Sequence, residues 1–191
     1  TEYYEDLSYE QTNFAQVFKQ SPILCKEFDE CILIAFALRE NDPDNILTQL
    51  ENLIKDVAKP ILLFGHYPVI ETRDEGHLQA SGHKDFIPKS ALTLREIIKR
   101  NRHIRLYACG HVHANTTRRL TTSCLQITAG ALGPGSSVYR LYSLTERKLH
   151  FQTLFGGGPL HYLPHDKIGS SDIFDYHLGT AEERYGKISL K

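Results

Sequence analysis

Three histidines follow short apolar runs in a pattern that suits metal binding. His66 comes just after residues 61–64, whereas His111 and His113 follow residues 104–108. In an extended chain, the i, i+2 spacing of His111 and His113 points both imidazoles to one side. His66 stands at the end of a different predicted strand and could approach this pair in space. Three neutral imidazoles suit zinc, iron, manganese or nickel, and do not favour calcium.

Helices and strands alternate along the part of the chain that carries these histidines. The strands predicted at 61–64 and 104–108 each follow an amphipathic helix, at about 43–58 and about 91–101. Pro43 suits the first turn of the earlier helix. Further predicted elements are a helix from Ser8 to about Lys19, and strands at 23–28 and 31–38 joined by a turn at Asp29-Glu30. The alternation predicts an α/β fold, with ligand sites off the carboxyl ends of strands.

After residue 116 the pattern changes to short strands. They are predicted at 117–120, 124–128, 138–143 and 148–154. Glycines separate them, so we expect a β meander that completes the sheet. Residues 156–191 begin with Gly-Gly-Gly-Pro and show weak periodicity. We therefore predict one domain over 1–155 and an extended C-terminal tail or partner arm over 156–191.

Two short motifs resemble those of the calcineurin-like metallophosphoesterase family. Residues 65–68, Gly-His-Tyr-Pro, are similar to the family's lone histidine motif, and residues 110–113, Gly-His-Val-His, match its last motif fully. Their order and the helix between them are also similar, and the resemblance covers about 22–155. It implies a mixed β-sheet sandwich flanked by helices.

The resemblance also implies a function and roles for the histidines. His66 and His111 would bind the second ion, and His113 the first ion, of a site with two divalent transition metals (Mn, Fe, Zn or Ni). The activity implied is hydrolysis of phosphomonoesters or phosphodiesters by a metal-bridging water or hydroxide. The expected partner is a small phosphoester or nucleotide substrate.

Other motifs of that family have no counterpart here. No Gly-Asp dipeptide and no Gly-Asn-His tripeptide occurs, so the bridging aspartate, the asparagine ligand and the adjacent histidine acid are missing. The chain has no methionine, and we expect Thr1 to lie just beyond the asparagine-histidine motif of a longer protein. Residues 175–177, Asp-Tyr-His, match the family's Asp-x-His motif by their letters. That motif follows a hydrophobic strand in the family, whereas a glycine and two serines come before it here, so a chance match is favoured over a circular permutation of the chain. We expect a half-site, meaning that these 191 residues carry only some of the metal ligands and by themselves have little or no phosphatase activity.

A few residues outside the motifs are weaker candidates for substrate binding. His77 and His83 occupy a long polar loop, 67–89, and either line the substrate pocket or are simply solvated. Arg118 follows the histidine pair closely enough to meet a phosphate. The four cysteines show no CxxC spacing and are predicted to be free thiols. Cys109 is interpreted as a core residue in preference to a metal ligand.

Composition narrows the function further. The formal net charge is −1, which argues against nucleic acid as a partner. The apolar runs are too short to span a bilayer, so no membrane partner is expected. A cytoplasmic location is expected because residues 1–8 do not resemble a signal peptide and free thiols suit a reducing compartment. Two alternatives to the two-metal hydrolase stay open. One is a non-catalytic interaction domain that keeps the phosphoesterase shell, and the other is a single zinc site formed by His66, His111 and His113.

Overall fold

A computed structural model describes residues 7–73, 87–132, 138–156 and 177–191. These residues form two β-sheets packed face to face, with helices on the outer face of the larger sheet. The helical elements are a 3₁₀ turn (Tyr9–Gln11), α1 (Asn13–Phe18), α2 (Ile46–Ile54), α3 (Ser90–Arg100) and α4 (Ala181–Arg184). The strands are β1 (Ile23–Glu27), β2 (Ile32–Phe36), β3 (Ile61–Phe64), β4 (Ile104–Cys109), β5 (Thr116–Arg119), β6 (Leu125–Thr128), β7 (Val138–Thr145), β8 (Lys148–Phe155) and β9 (Tyr185–Ser189). The predicted class, an α/β fold with a mixed sheet sandwich and flanking helices, is confirmed.

The larger sheet has six strands in the order β1-β2-β3-β4-β6-β5. Its four inner strands run parallel, and each edge strand is antiparallel to its neighbour. The first edge is the predicted hairpin, closed by a hydrogen bond of 2.8 Å from the Phe28 N–H to the Cys31 carbonyl. Because the inner strands are parallel, their carboxyl ends lie along one edge of the sheet. There β3 ends at Phe64, β4 at Cys109 and β6 at Thr128. The histidine motifs follow two of these ends.

The helices cover one face of this sheet through apolar stripes of period 3.6. The side chains of α2 and α3 that are buried there are Ile46, Leu47, Leu50, Ile54, Ala91, Leu94, Ile97 and Ile98. They pack on strand residues that include Ile34, Leu63 and Tyr107. Each fully buried Leu or Ile contributes about 1.5–3 kcal/mol to folding. This layer fixes β3 and β4 side by side beneath the site.

Helix α2 begins later than its apolar pattern predicts. The Asp42 carboxylate accepts hydrogen bonds from the backbone N–H groups of Ile46, at 2.7 Å, and Leu47, at 3.0 Å. These bonds satisfy donors in the first turn, so the helix starts at Ile46. It ends at Ile54. The prediction of a helix over 43–58 with Pro43 in its first turn was therefore too long at both ends.

A second sheet, β7-β8-β9, packs on the other face of the first. Leu149, Phe151 and Ile188 from this sheet are buried against Leu106 and Ile127 from the larger one. The predicted strands after residue 116 are present, but the expectation that they complete a single sheet was wrong. Strands β5 and β6 join the first sheet, whereas β7 and β8 begin the second.

The C-terminal residues take part in this second sheet. Strand β9 pairs antiparallel with β8, and both Ile188 and Leu190 are buried. For residues 177–191, the expectation of an extended tail is therefore corrected, because their apolar side chains complete a core. Residues 157–176 lie outside the described residues, and the domain boundary at 155 stays a prediction. Every helix in the described ranges is too short or too polar to cross a membrane.

Candidate metal-binding site

Backbone hydrogen bonds continue from β3 to β4 beyond the ends of both strands. Phe64 is paired with Ala108, and the next donor, the Gly65 N–H, bonds to the Ala108 carbonyl at 2.9 Å. The Gly110 N–H then bonds to the His66 carbonyl at 2.9 Å. This short extension of the ladder brings the residues that follow each strand together, as the sequence predicts for the two motifs.

The imidazoles of His66 and His111 meet at this edge of the sheet. His66 Nε2 and His111 Nδ1 are 3.2 Å apart, with one nitrogen donating and the other accepting according to the tautomers. Tyr67 lies against both rings, at centroid distances of 4.8 Å from His66 and 4.7 Å from His111. Its side chain is buried, so it forms an apolar floor that limits how far the two imidazoles can rotate.

His66 is held in its neutral form. Partial loss of hydration, together with the nearby His111 and His113, lowers the pKa of His66 from 6.5 to about 4. At neutral pH its ring therefore carries a lone pair, as a metal ligand or a hydrogen-bond acceptor requires.

Two buried side chains shape the loop that follows His66. The Tyr107 hydroxyl donates to the Tyr67 carbonyl at 2.6 Å. The Gln126 amide oxygen accepts from the N–H groups of Val69, at 2.8 Å, and Ile70, at 3.1 Å, while its nitrogen donates to the Ile70 carbonyl at 2.9 Å. Gln126 is fully buried and its amide is satisfied on both sides. Neither role was predicted from the sequence, because a glutamine within an apolar strand does not reveal which loop it will bind.

The turn at 110–113 differs from the conformation assumed for the histidine pair. His111 and His113 both have positive φ, 66° and 53°, and strand β4 ends before them at Cys109. His111 and His113 are therefore not in the extended conformation from which a common direction of their imidazoles was predicted. A Cβ on Gly110 would find its nearest neighbour, the His66 carbonyl oxygen, 4.0 Å away, so the space at that position does not require glycine.

The predicted ligand His113 occupies a different setting from the other two histidines. Its side chain is exposed, and its carbonyl oxygen lies 2.9 Å from Nδ1 of His177. In the described ranges, no cluster of three or more histidine, cysteine, aspartate or glutamate residues is arranged to hold a metal ion. The assignment of His113 to the same site as His66 and His111 stays a prediction.

A hydrogen-bond network from the C-terminal residues surrounds this turn. Asn115 is fully buried, and both its backbone N–H and its side-chain Nδ2 donate to the His177 carbonyl, at 2.9 Å and 3.1 Å. Arg73 donates to the Asn115 carbonyl at 3.0 Å and forms an ion pair with Glu183. None of these residues was singled out from sequence for this role, because their partners lie far apart in the chain.

The remaining predicted residues lie away from the pair or outside the described residues. Arg118 points from β5 into a surface depression that it shares with Glu71, Arg95 and Arg119, and His66 and His111 do not line it. His77 and His83 fall within 74–86, which lies outside the described residues. The four cysteines are free thiols, as predicted, and Cys109 is buried as a core residue.

The spacing of the two imidazole nitrogens fits a shared metal ion. Two nitrogens that are each about 2.0–2.1 Å from one ion, at bond angles between roughly 90° and 109°, lie about 2.8–3.4 Å apart. The separation of 3.2 Å between His66 Nε2 and His111 Nδ1 falls within this range. To share an ion, both rings would have to turn so that their lone pairs meet at it, and their mutual hydrogen bond would be lost.

No family model matches the chain, and no curated protein matches it either. Among solved structures, the chain is similar to a dimetal phosphatase from Danio rerio, with a TM-score of 0.45 and 15% sequence identity. The similarity covers 56% of this chain and 33% of that protein, so the chain spans about a third of the neighbour's length.

Proposed function

We propose that this chain is part of a metal-dependent phosphoester hydrolase, in which His66 Nε2 and His111 Nδ1 are two ligands of one divalent transition metal ion. The observation that carries the proposal is the 3.2 Å separation of these two nitrogens at adjacent parallel strand ends. The lowered pKa of His66 supports it, because a neutral imidazole binds metal without first losing a proton. The motif resemblance at 65–68 and 110–113 supplies the reaction class.

The residues of this chain would bind one metal ion and fix its position, and the other ligands of the site would come from elsewhere in the protein. Divalent ions at such a site polarise the phosphoryl oxygens and lower the pKa of a bound water. Tyr67 and the hydrogen bond between Gly110 and His66 hold the two imidazoles in register. We propose a centre of two ions (Mn, Fe, Zn or Ni), with His113 as a ligand of the other ion. The near-neutral charge favours a small phosphoester or nucleotide as substrate.

Zinc binding by single variants tests the ligand assignment. His66→Ala and His111→Ala should each weaken zinc binding by at least about tenfold in isothermal titration calorimetry, since each loses a direct ligand. His150→Ala is the matched control, because His150 is an exposed histidine on β8 of the second sheet. Wild-type affinity in both His66→Ala and His111→Ala would overturn the assignment.

Hydrolysis assays separate the half-site from an autonomous enzyme. The chain alone should release little or no product from a generic aryl phosphate in the presence of zinc or manganese, because the carboxylates that would bridge two ions have no counterpart in it. Robust hydrolysis that is abolished in His111→Ala would show that the half-site interpretation is wrong.

A further inference from the structure

The C-terminal residues that precede β9 make direct contact with the histidine turn. The carbonyl of His113 can only accept a hydrogen bond, so the Nδ1 atom of His177, 2.9 Å away, must carry the proton. The His177 carbonyl in turn accepts two hydrogen bonds from Asn115, at 2.9 Å and 3.1 Å. His177 therefore contacts the chain at two points, one within the turn at His113 and one just after it at Asn115.

Asn115 ties this contact to the end of the sheet. Its side-chain oxygen accepts a hydrogen bond of 3.1 Å from the backbone N–H of Gly130, two residues beyond the end of β6. The side chain is fully buried and its amide has partners on both sides. A buried amide with partners on both sides stabilises the fold and also fixes the positions of its partners, because any shift would leave a polar group unpaired.

Further contacts stabilise the position of the residues that follow His177. Arg73 lies between the Asn115 carbonyl and the Glu183 carboxylate, and the side chains of both Arg73 and Glu183 are largely buried. Glu183 also forms a capping box with Thr180 at the start of α4. Gly179 adopts φ of 71°, and a Cβ there would overlap the Asn115 carbonyl oxygen. These contacts join 177–183 closely to the chain beside the turn.

The turn needs such support. His111 and His113 both occupy the left-handed region, which costs an ordinary side chain about 1 kcal/mol or more at each position. Residues 111–115 also lie between β4 and β5, outside the paired residues of both strands. An outside hydrogen bond to the His113 carbonyl fixes one peptide plane of the turn that carries the His111 imidazole.

We propose that His177 is a positioning residue for the metal site: by donating to the His113 carbonyl, it holds the turn at 111–113 in the conformation that places His111 beside His66. The site's metal affinity then depends on the C-terminal residues 177–183. The part of this inference that concerns metal affinity rests on the proposed function, whereas the part that concerns the turn does not.

Variants of His177 in the full 191-residue chain test this inference by two readouts. The first is the NMR signals of the His66 and His111 imidazoles in metal-free protein, and the second is zinc affinity by competition with a chromophoric chelator. His177→Ala should shift both imidazole signals and weaken zinc binding by about tenfold or more. His177→Asn should largely restore both, because the asparagine Nδ2 can donate in place of Nδ1. His150→Ala is the control for loss of an exposed histidine.

The outcomes distinguish this inference from the proposed function. If the wild-type chain binds no zinc but His177→Ala still shifts the His66 and His111 signals, the metal proposal fails and the positioning role stands. If His177→Ala leaves the signals and the affinity unchanged, the positioning role is overturned. Should His177→Ala unfold, Glu183→Gln provides a milder variant that weakens the Arg73 ion pair. It should shift the same signals in the same direction, and unchanged signals would overturn the inference.

Discussion

The Tyr107 hydroxyl lies so close to the α-carbon of Gly65 that a Cβ added there would meet the oxygen at 2.6 Å. Tyr107 is buried on β4, and Gly65 is the residue between β3 and His66. The same hydroxyl donates to the Tyr67 carbonyl at 2.6 Å, so it cannot move aside without losing a buried hydrogen bond. Glycine at position 65 therefore lets His66 approach the end of β4.

Gly65→Ala should destabilise the protein because the added methyl group overlaps the Tyr107 side chain. We expect a loss of about 1–3 kcal/mol in the free energy of unfolding, measured by urea denaturation. Tyr107→Phe alone should cost about 1–2 kcal/mol, because it leaves the Tyr67 carbonyl without its buried donor.

The double variant tests whether the two effects share one cause. Removing the hydroxyl takes away the nearest atom, but ring carbons of Tyr107 at 3.1 Å and 3.2 Å remain. Gly65→Ala combined with Tyr107→Phe should therefore lose less stability than the sum of the two single changes. Strict additivity, or a Gly65→Ala protein as stable as wild type, would contradict the close approach.

His66 should titrate well below an ordinary histidine. Its pKa is lowered from 6.5 to about 4 by partial burial and by His111. In the unfolded chain the same ring takes up a proton near pH 6.5, so this group lowers stability as the pH falls from 6.5 through about 4. An NMR titration of the ring should give a midpoint near pH 4, and His111→Ala should raise that midpoint. A wild-type midpoint near 6.5 would contradict the geometry of the pair.

Cys124 should make the protein sensitive to high pH. Burial raises the pKa of this thiol from 9.0 to about 12, against smaller opposing effects of a backbone hydrogen bond from Tyr107 and of Arg105. The raised value means that the thiol's contribution is complete below pH 9 and is lost as the pH rises through about 12. One thiol changes the free energy of unfolding by at most about 1.4 kcal/mol per pH unit.

Denaturation of two cysteine variants between pH 8 and 12 isolates that contribution. Cys124→Ala should lose stability less steeply than wild type as the pH rises through roughly this range. Cys25→Ala, which removes an exposed thiol on β1, is the control for the loss of a cysteine. Equal slopes for Cys124→Ala and wild type would count against the burial of this thiol.

Local patterns predicted much of the fold. The apolar strands at 61–64 and 104–108 and the hairpin at Asp29-Glu30 correspond closely to β3, β4 and the β1–β2 pair, because each depends on neighbouring residues. The start of helix α2 was predicted too early, because it depends on a carboxylate four residues upstream of Ile46, at Asp42. Sheet membership was missed for β7 and β8, since strand patterns show which face is apolar and not which partner covers it.

The candidate site was predictable in part for the same physical reason. Parallel strands bring their carboxyl ends to one edge, so the meeting of His66 and His111 followed from position alone. The left-handed turn at His113 and its hydrogen bond with His177 did not, because they arise between segments more than sixty residues apart. Contacts of that range are set by tertiary packing, and no local pattern encodes them.

A zinc-soaked crystal of the chain, analysed by anomalous scattering, tests the metal assignment most directly. The assignment predicts an anomalous peak at about 2.0–2.1 Å from both His66 Nε2 and His111 Nδ1. The two rings should keep their places at the ends of β3 and β4. A zinc ion bound elsewhere, with these two nitrogens still hydrogen-bonded to each other, would contradict it.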